Sequence, residues 1–531
     1  MEEEITAVKR MCGLKNGERL EVVSVGAGAW AAVFACLLKR KYAGFEDQLR
    51  VRMWRRPGKL VTAEQASQLL ARIQGDPAVL ARLSDNGRLL RYVHASLGRE
   101  LDPPLTAEEA LEDGFCDTLC DAILMPMEAC RNLEEAVEES AHVLVNGVPS
   151  TSTLQVWAPL AGPLARRRKR GLPEPVVISL AKGVDFVMEP TPHLLTPTRL
   201  IHRTTSIPID RLLYLGGPNI ALELWKGEFA TARLCGADEV RVPLAALFHQ
   251  PRFAVWHNKD VITHEVMGGL KNVYAIGAGL VDEACSRGAT PNSVYFANAC
   301  AEMTFITHIL SRRPEQLSGP LLADTYVTML AGRNAWYGRQ LASGAIKVKD
   351  GENVPGKGLI QGVSAVRAFA SLLACAPVPL GPKDSPVPAI DMLPTLRGLH
   401  ALLFRGGTVQ DFVDGLWGGS QEDPAERMLS KATREGIAFI PSLLAPEAVQ
   451  PVEVSPPCTP HHTIGENELP EPFLSDDKLA ALGIDVEGMD KFRRSYSAFR
   501  TGRPFGSTGE VADLDMKGHR FGPTPRVGPT I

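Results

Sequence analysis

The stretch Leu20-Glu21-Val22-Val23-Ser24-Val25-Gly26-Ala27-Gly28-Ala29-Trp30-Ala31 decides how this chain is read. Leu20 to Val25 is rich in valine, the composition of a short buried strand. It runs into two glycines and then an apolar segment with helical character through Leu38. Strand, glycine turn and helix in that order fit G-x-G-x-x-[GA], with Ala31 in the last slot. Gly26 permits the tight turn, Gly28 lets backbone approach a pyrophosphate, and Ala31 keeps helix close to strand. The helix N-terminus, at Ala29 and Trp30, then turns free N–H groups toward phosphates. A dinucleotide cofactor is expected at these residues.

Working outward, Leu49 to Trp54 alternates and reads as a second strand. An NAD site often places an acidic residue at the end of that strand, about 20 residues past the glycines. Glu46 and Asp47 have that separation but precede the strand, which ends instead in Arg55-Arg56. Two guanidinium groups there suit a 2′-phosphate and hence NADP. They equally suit stacking on adenine or facing solvent, so NAD and NADP both stay open on these residues. Further strands are expected at Val143 to Val145, Val176 to Leu180 and Leu212 to Leu215, with helical stretches between them. That alternation implies βαβ units and a mostly parallel sheet. After Val255 strand signals stop and helical patterns run to about Trp417, most strongly at Asn298 to Leu310 and Leu321 to Leu330. The expected fold is an α/β Rossmann-type domain followed by an all-α domain and a poorly ordered C-terminal extension. In residues, this is a polar leader over 1–19, a dinucleotide-binding domain over 20–258 with an insertion near 57–130, a helical catalytic domain over 259–440, and an extension over 441–531. The extension is rich in proline and glycine, with one short helix expected near Asp476 to Phe499.

Composition excludes several classes. A chain of 531 residues with 45% hydrophobic content has ample core material for more than one domain. Its formal charge of -4 gives no overall case for nucleic acid. The basic run Arg166-Arg167-Arg168-Lys169-Arg170 reads best as the C-terminal turn of a helix, where cations are favoured. Ten cysteines are irregularly spaced and lack a histidine set, so no metal site is expected. The start, Met1-Glu2-Glu3-Glu4, is acidic where a signal peptide would be basic. The longest helical apolar run, Ala29 to Leu38, falls short of the roughly 18 residues of a membrane span. A cytoplasmic, reducing setting is the expectation.

The candidate chemistry lies in lysines. Gly269-Leu270-Lys271-Asn272-Val273 opens a run of small apolar residues, Tyr274 to Leu280. A lysine amid such residues must be paired or used. Near its reference pKa of ~10.4 an ammonium holds its proton too tightly for acid catalysis at neutral pH. Burial or a second ammonium would lower that value. Lys182, in Ser179-Leu180-Ala181-Lys182-Gly183, leaves a strand at its C-terminal end, the edge where doubly wound sheets bind ligands. Asp324, on a predicted helix, is placed to offset both lysines. Gly332-Arg333-Asn334 offers a planar fork and an amide, which suit a phosphate or carboxylate. Gly216-Gly217-Pro218-Asn219 ends another strand, and suits either a substrate-side loop or an ordinary strand-ending glycine turn.

This combination resembles the NAD-dependent glycerol-3-phosphate dehydrogenases, especially the longer plant-type cytosolic forms. The matching segments fall in order: the turn Gly26 to Ala31, Arg52-Met53-Trp54, Val148-Pro149-Ser150, Ser179 to Val184, Gly217 to Glu223, Gly269 to Val273, Ala323-Asp324 with Thr328, Gly332-Arg333-Asn334, and Gln361-Gly362. They span about residues 20–375. The resemblance implies that Lys271 donates a proton to dihydroxyacetone phosphate as hydride arrives. It implies that Lys182, Asn219 and Asn272 hold the substrate, that Asp324 and Thr328 position Lys271, and that Arg333 and Asn334 grip the phosphate. Pro149, Arg333 and Gln361 would border the cofactor, NAD, and the protein would be a homodimer. Two departures stand out: Ala31 replaces the last glycine of the family's turn, and Asn146-Gly147 replaces a bulkier apolar pair, from which looser nicotinamide packing is expected. Other classes fit less well. A β-hydroxyacid-type dehydrogenase would space lysine and asparagine four apart, whereas here they are adjacent. A non-catalytic NADH-binding redox sensor would need none of Lys182, Lys271, Asp324, Arg333 and Asn334 together.

Overall fold

The computed structural model describes residues 1–15, 17–55, 127–187, 192–311, 320–350, 353–354, 358–378 and 386–417, with Ser67, His94, Arg99, Glu100 and Leu443 besides. Apart from Ser67, the helical stretch expected from Thr62 to Arg91 lies outside these residues, as do most of the rest of the 57–130 insertion before residue 127 and, but for Leu443, all of 441–531 with the short helix expected near Asp476 to Phe499.

An eight-stranded sheet organises the N-terminal half. Its strands are β1 (Leu20–Val25), β2 (Leu49–Trp54), β3 (Glu128–Ala129), β4 (Val143–Asn146), β5 (Val176–Ser179), β8 (Leu212–Gly216), β9 (Ala230–Cys235) and β10 (Phe253–Asn258), while β6 (Asp185–Val187) and β7 (His193–Leu195) form a separate hairpin. The order is β10-β9-β8-β5-β4-β1-β2-β3. Neighbours run parallel from β3 to β8, β8 pairs antiparallel with β9, and β9 pairs parallel with β10. β1, β4 and β5 are buried along their whole length, as strands covered on both faces must be. Glu21 sits within buried β1, its carboxylate met by the Arg52 guanidinium and the Ser140 hydroxyl. β1 lies between β2 and β4, so the order reverses there and a crevice opens at their C-terminal ends. β9 and β10 were not foreseen: Ala230–Cys235 is short and mixes Thr and Arg with small residues, so its own sequence carries little strand signal.

Residues 1–19 are not merely a polar leader. Glu2–Met11 is a helix with acids in its first turn and bases in its last. Its apolar side, Ile5 and Val8, is fully buried and joins the core that includes the Asp238–Phe248 helix. Six of the ten helix residues are polar, which hid that face from a composition reading. The basic run closes the Ala161–Lys169 helix, with Arg166 on Glu138 at 2.7 Å and buried Arg167 bonded to the Val137 and Pro173 carbonyls. It is a helix terminus, as its position suggested.

The C-terminal half is helical around one axis, the helix Val261–Ala284. Asp260 caps it by accepting from the Thr263 N–H at 2.9 Å. Every residue from Thr263 to Val281 is buried, because the helices Ala289–Leu310, Pro320–Ala331, Arg333–Ala342 and Gln361–Ala374 pack around it. A helix enclosed on all sides needs small residues wherever a neighbour comes closest. At Gly279 a Cβ would collide with the Ala335 carbonyl oxygen and stand 2.8 Å from its carbon, so this helix and Arg333–Ala342 touch backbone to backbone. That contact fixes the register between Lys271 and the turn at Arg333.

Gly279→Ala should therefore destabilise the protein by at least about 2 kcal/mol in urea denaturation, since overpacking against a backbone cannot relax through a side chain. A change below about 0.5 kcal/mol would mean that the two helices can separate freely.

Candidate active site

The cofactor turn is built as the sequence suggests. Gly26 has φ 108°, a conformation glycine adopts without strain. Gly28 is the exposed N-cap of the helix Ala29–Lys41, and no side chain caps that end. The first-turn N–H groups are thus left for an anion, and the space above Gly28 is one that a side chain would occupy. These features fit a dinucleotide pyrophosphate. The Trp30 indole turns back onto Phe34 and Phe253, with ring centroids 5.8 and 6.0 Å away, so its share in the turn is its backbone. Pro149 is exposed at the N-cap of the helix Ser150–Trp157, beyond the end of β4. Arg55 is buried where β2 ends, and Arg56 lies outside the described residues.

Lys182 comes from the loop after β5 and Lys271 from the middle of the enclosed helix. Asp324, on the helix Pro320–Ala331, joins them. Its Oδ2 accepts from Lys182 Nζ at 2.9 Å, and its Oδ1 accepts from Lys271 Nζ. Lys182 also donates to the Gly217 carbonyl at 3.3 Å. Lys271 is 5% exposed and Asp324 5%, so this pair is nearly dry, while Lys182 stays partly exposed beside it. Burial pulls the Lys271 pKa down, Asp324 opposes it and Lys182 adds to it, leaving the group at about 7. For Asp324 burial acts upward, but the two ammonium groups more than offset it and hold the carboxyl below its usual range. The result is an ionised carboxylate beside a lysine whose proton is exchangeable at neutral pH.

Beside the lysines lies a cleft of about 190 Å³, bordered by Asn272, Thr328, Gly332, Arg333, Asn334, Leu359 and Gln361 as well as Lys182 and Lys271. That is smaller than the ~300–1,000 Å³ of drug-sized sites, and suits a substrate of few heavy atoms. Two helix N-termini open onto it, Arg333–Ala342 after Gly332, which has no side-chain cap, and Gln361–Ala374 after Ile360, where Asn334 already takes the Gly362 N–H. Both present partial positive charge, and Arg333 is exposed at one of them.

The expected site residues are thus brought together, with corrections. The Asn334 side chain does not reach for an anion: it donates to Asn272 Oδ1 at 2.9 Å and accepts from the Gly362 N–H at 2.9 Å. Asn272 in turn donates to the Gly268 carbonyl at 3.3 Å. Buried amides must be satisfied, and these two satisfy each other, tying the lysine-bearing helix to the Gln361 helix. The Thr328 hydroxyl donates to the Asp324 main-chain carbonyl at 2.6 Å, one turn back on the same helix, and makes no bond to Lys271. Asn219 is off the cleft wall, and both its amide atoms are buried without a partner among the described residues. Sequence reasoning missed Leu359, on a two-residue strand with no periodicity to reveal it, and Tyr214, whose phenol occupies the space that Gly268 leaves empty one turn before Lys271. Among the described residues no group of three or more His, Cys, Asp or Glu could hold a metal.

A nucleotide turn at a sheet crevice and a buried lysine in an adjoining helical body define a class: two-part nicotinamide-dependent dehydrogenases, with the helical part carrying the substrate chemistry. Within that class, residues 260–414 match the family described as NAD-dependent glycerol-3-phosphate dehydrogenase C-terminus. The chain is 46% identical to a cytosolic glycerol-3-phosphate dehydrogenase [NAD(+)] of Arabidopsis thaliana over 447 residues, 84% of this chain and 95% of the relative. A second cytosolic enzyme of that name and organism is 44% identical, over 84% and 96%. The fold is similar to that of glycerol-3-phosphate dehydrogenase GPD1 from Saccharomyces cerevisiae, with a TM-score of 0.55 at 17% identity over 76% of this chain and 100% of that one. The chain belongs to the family of NAD-dependent glycerol-3-phosphate dehydrogenases, oxidoreductases that use NAD as their cofactor.

Because Asp324 raises the Lys271 pKa against burial, Asp324→Asn should lower it further. In a pH profile of kcat/KM for the reductive direction, which needs the protonated lysine, the apparent pKa should move below that of the unmodified enzyme, with a large loss of rate at pH 7. An unchanged or higher pKa would remove Asp324 from control of the lysine.

Proposed function

We propose that Lys271 is the general acid and base of reversible hydride transfer between NAD(H) and the pair glycerol 3-phosphate and dihydroxyacetone phosphate. The observation that carries this reading is a buried ammonium, held by Asp324 beside a second ammonium, on the wall of a cleft sized for a small anion. When bound, the reduced nicotinamide supplies hydride to the carbonyl carbon. Lys271 Nζ gives its proton to the carbonyl oxygen as negative charge develops there, and takes it back in the oxidative direction. Lys182 adds positive charge at the same oxygen, and Asp324 holds both ammonium groups in place. Arg333 and the helix N-termini at Arg333 and Gln361 take the phosphate. The unpartnered Asn219 amide is assigned to ligand, since a buried amide without partners costs about 1–3 kcal/mol until one arrives. Asn272 and Asn334 position rather than bind.

The domain division near residue 258 follows from the same reading: nucleotide on the sheet side, substrate on the helical side. A cytoplasmic setting is supported by the relatives' names. Among the described residues no helix is long and apolar enough to cross a membrane. The family resemblance supports a homodimer, which light scattering of the purified protein tests.

Three measurements follow. Loss of nicotinamide absorbance on mixing the protein with NADH and dihydroxyacetone phosphate tests the reaction, and silence with both NADH and NADPH would end this reading. Lys271→Ala should lower kcat by about a hundred- to ten-thousandfold while NADH still binds; a near-normal rate would exclude the acid role. The pH dependence has opposite signs in the two directions. Reduction needs the protonated lysine, so its kcat/KM should fall as pH rises through about 7, whereas oxidation needs the neutral amine and should rise through the same range.

A further inference from the structure

The two departures noted in the sequence, Ala31 and Gly147, touch each other. Gly147 follows β4 and lies beside the cofactor turn, its N–H donating to the Val25 carbonyl at 2.9 Å. A Cβ on Gly147 would collide with the Ala31 methyl, and would lie 3.5 Å from the Gly26 carbonyl oxygen and 3.6 Å from Ala31 Cα. The fit is tight from the other side too. A Cβ on Gly26 would stand 2.8 Å from Val148 Cγ1 and 3.0 Å from the Gly147 carbonyl carbon, and one on Gly28 would stand 3.3 Å from the Gly147 oxygen. Ala31 is 2% exposed, so its methyl has no other space to enter.

Nor can the end of β4 retreat. Asn146 is fully buried, and its side chain accepts from Trp157 Nε1 at 2.9 Å and donates to Ser179 Oγ at 3.3 Å. Within the protein this segment is firmly packed: the amide anchors it, and the space beside the glycine is filled by Ala31. Gly147 is not in the left-handed region, so no backbone requirement demands glycine there; space alone does.

We propose that Gly147 is a positioning residue for the dinucleotide turn, coupled to Ala31, so that the two positions together accommodate one methyl group at the sheet crevice. A second methyl pushes the helix start, and with it Gly28 and the first-turn N–H groups, away from the pyrophosphate position. The inference rests on the nucleotide reading of the Gly26–Ala31 turn and adds a determinant of its affinity.

The test is a double-mutant cycle on the full chain, reading NADH dissociation constants by nicotinamide fluorescence and melting temperatures by circular dichroism. Wild type must bind NADH, and failure there would overturn the cofactor reading itself. Given that binding, G147A should weaken NADH affinity tenfold or more, and kcat at saturating NADH should fall less than the affinity does. In the A31G background the same substitution should cost less than threefold. A G147A protein that binds NADH like wild type, or an equal loss in both backgrounds, overturns the coupling. If G147A does not fold, a folded A31G/G147A protein with the NADH affinity of A31G supports the proposal, and a double variant that also fails to fold overturns it.

Discussion

One buried carboxylate shared by a buried and a partly exposed ammonium group is the interaction on which the rest of this structure depends. Lys271 alone would be costly to bury, and Asp324 alone would be driven toward its neutral form. Together with Lys182 they carry a single net positive charge, in a site where the carboxylate stays ionised and one proton on Lys271 is loosely held. The ionised groups are held by position. Asp324 reaches Lys271 from one helix, while Lys182 arrives from the C-terminal edge of the sheet. The remaining positive charge, with Arg333 and two helix N-termini beside it, gives the cleft a positive character.

Holding such a cluster requires rigid neighbours, and the enclosed helix Val261–Ala284 supplies them. Its small residues let neighbours come into direct contact, the Ala335 backbone at Gly279 and the Tyr214 phenol at Gly268. The Asn272–Asn334–Gly362 chain of hydrogen bonds then couples the lysine-bearing turn to the start of the Gln361 helix. A shift in any of these helices moves the cleft wall and the lysine together. The same logic governs the sheet side, where the cofactor turn rests on the end of β4 with room for a single methyl.

The correction at Asn334 shows what a pattern of residue types leaves undecided. An arginine beside an asparagine at a helix start fits an anion, and Arg333 remains exposed at the cleft. Asn334 is one residue further round the helix, which turns its side chain inward toward Asn272. Likewise Glu2–Met11 looks polar by count, but Ile5 and Val8 fall on one side, and only the neighbouring helix gives that side something to cover.

By itself the sequence determined the local devices: the strand and glycine turn of Leu20 to Ala31, the parallel α/β order, the helical second half and the candidate lysines. These are legible because backbone sterics, side-chain period and helix ends act over a few residues. The tertiary structure alone decided that Lys182, Lys271 and Asp324, up to 142 residues apart, meet at one point. It also decided that Asn334 serves Asn272, and that Gly147 faces Ala31. Contacts between distant segments depend on how helices and strands pack, and no local period records that. A shared charge or a missing methyl can be recognised in sequence only as an oddity, until folding brings its partner beside it.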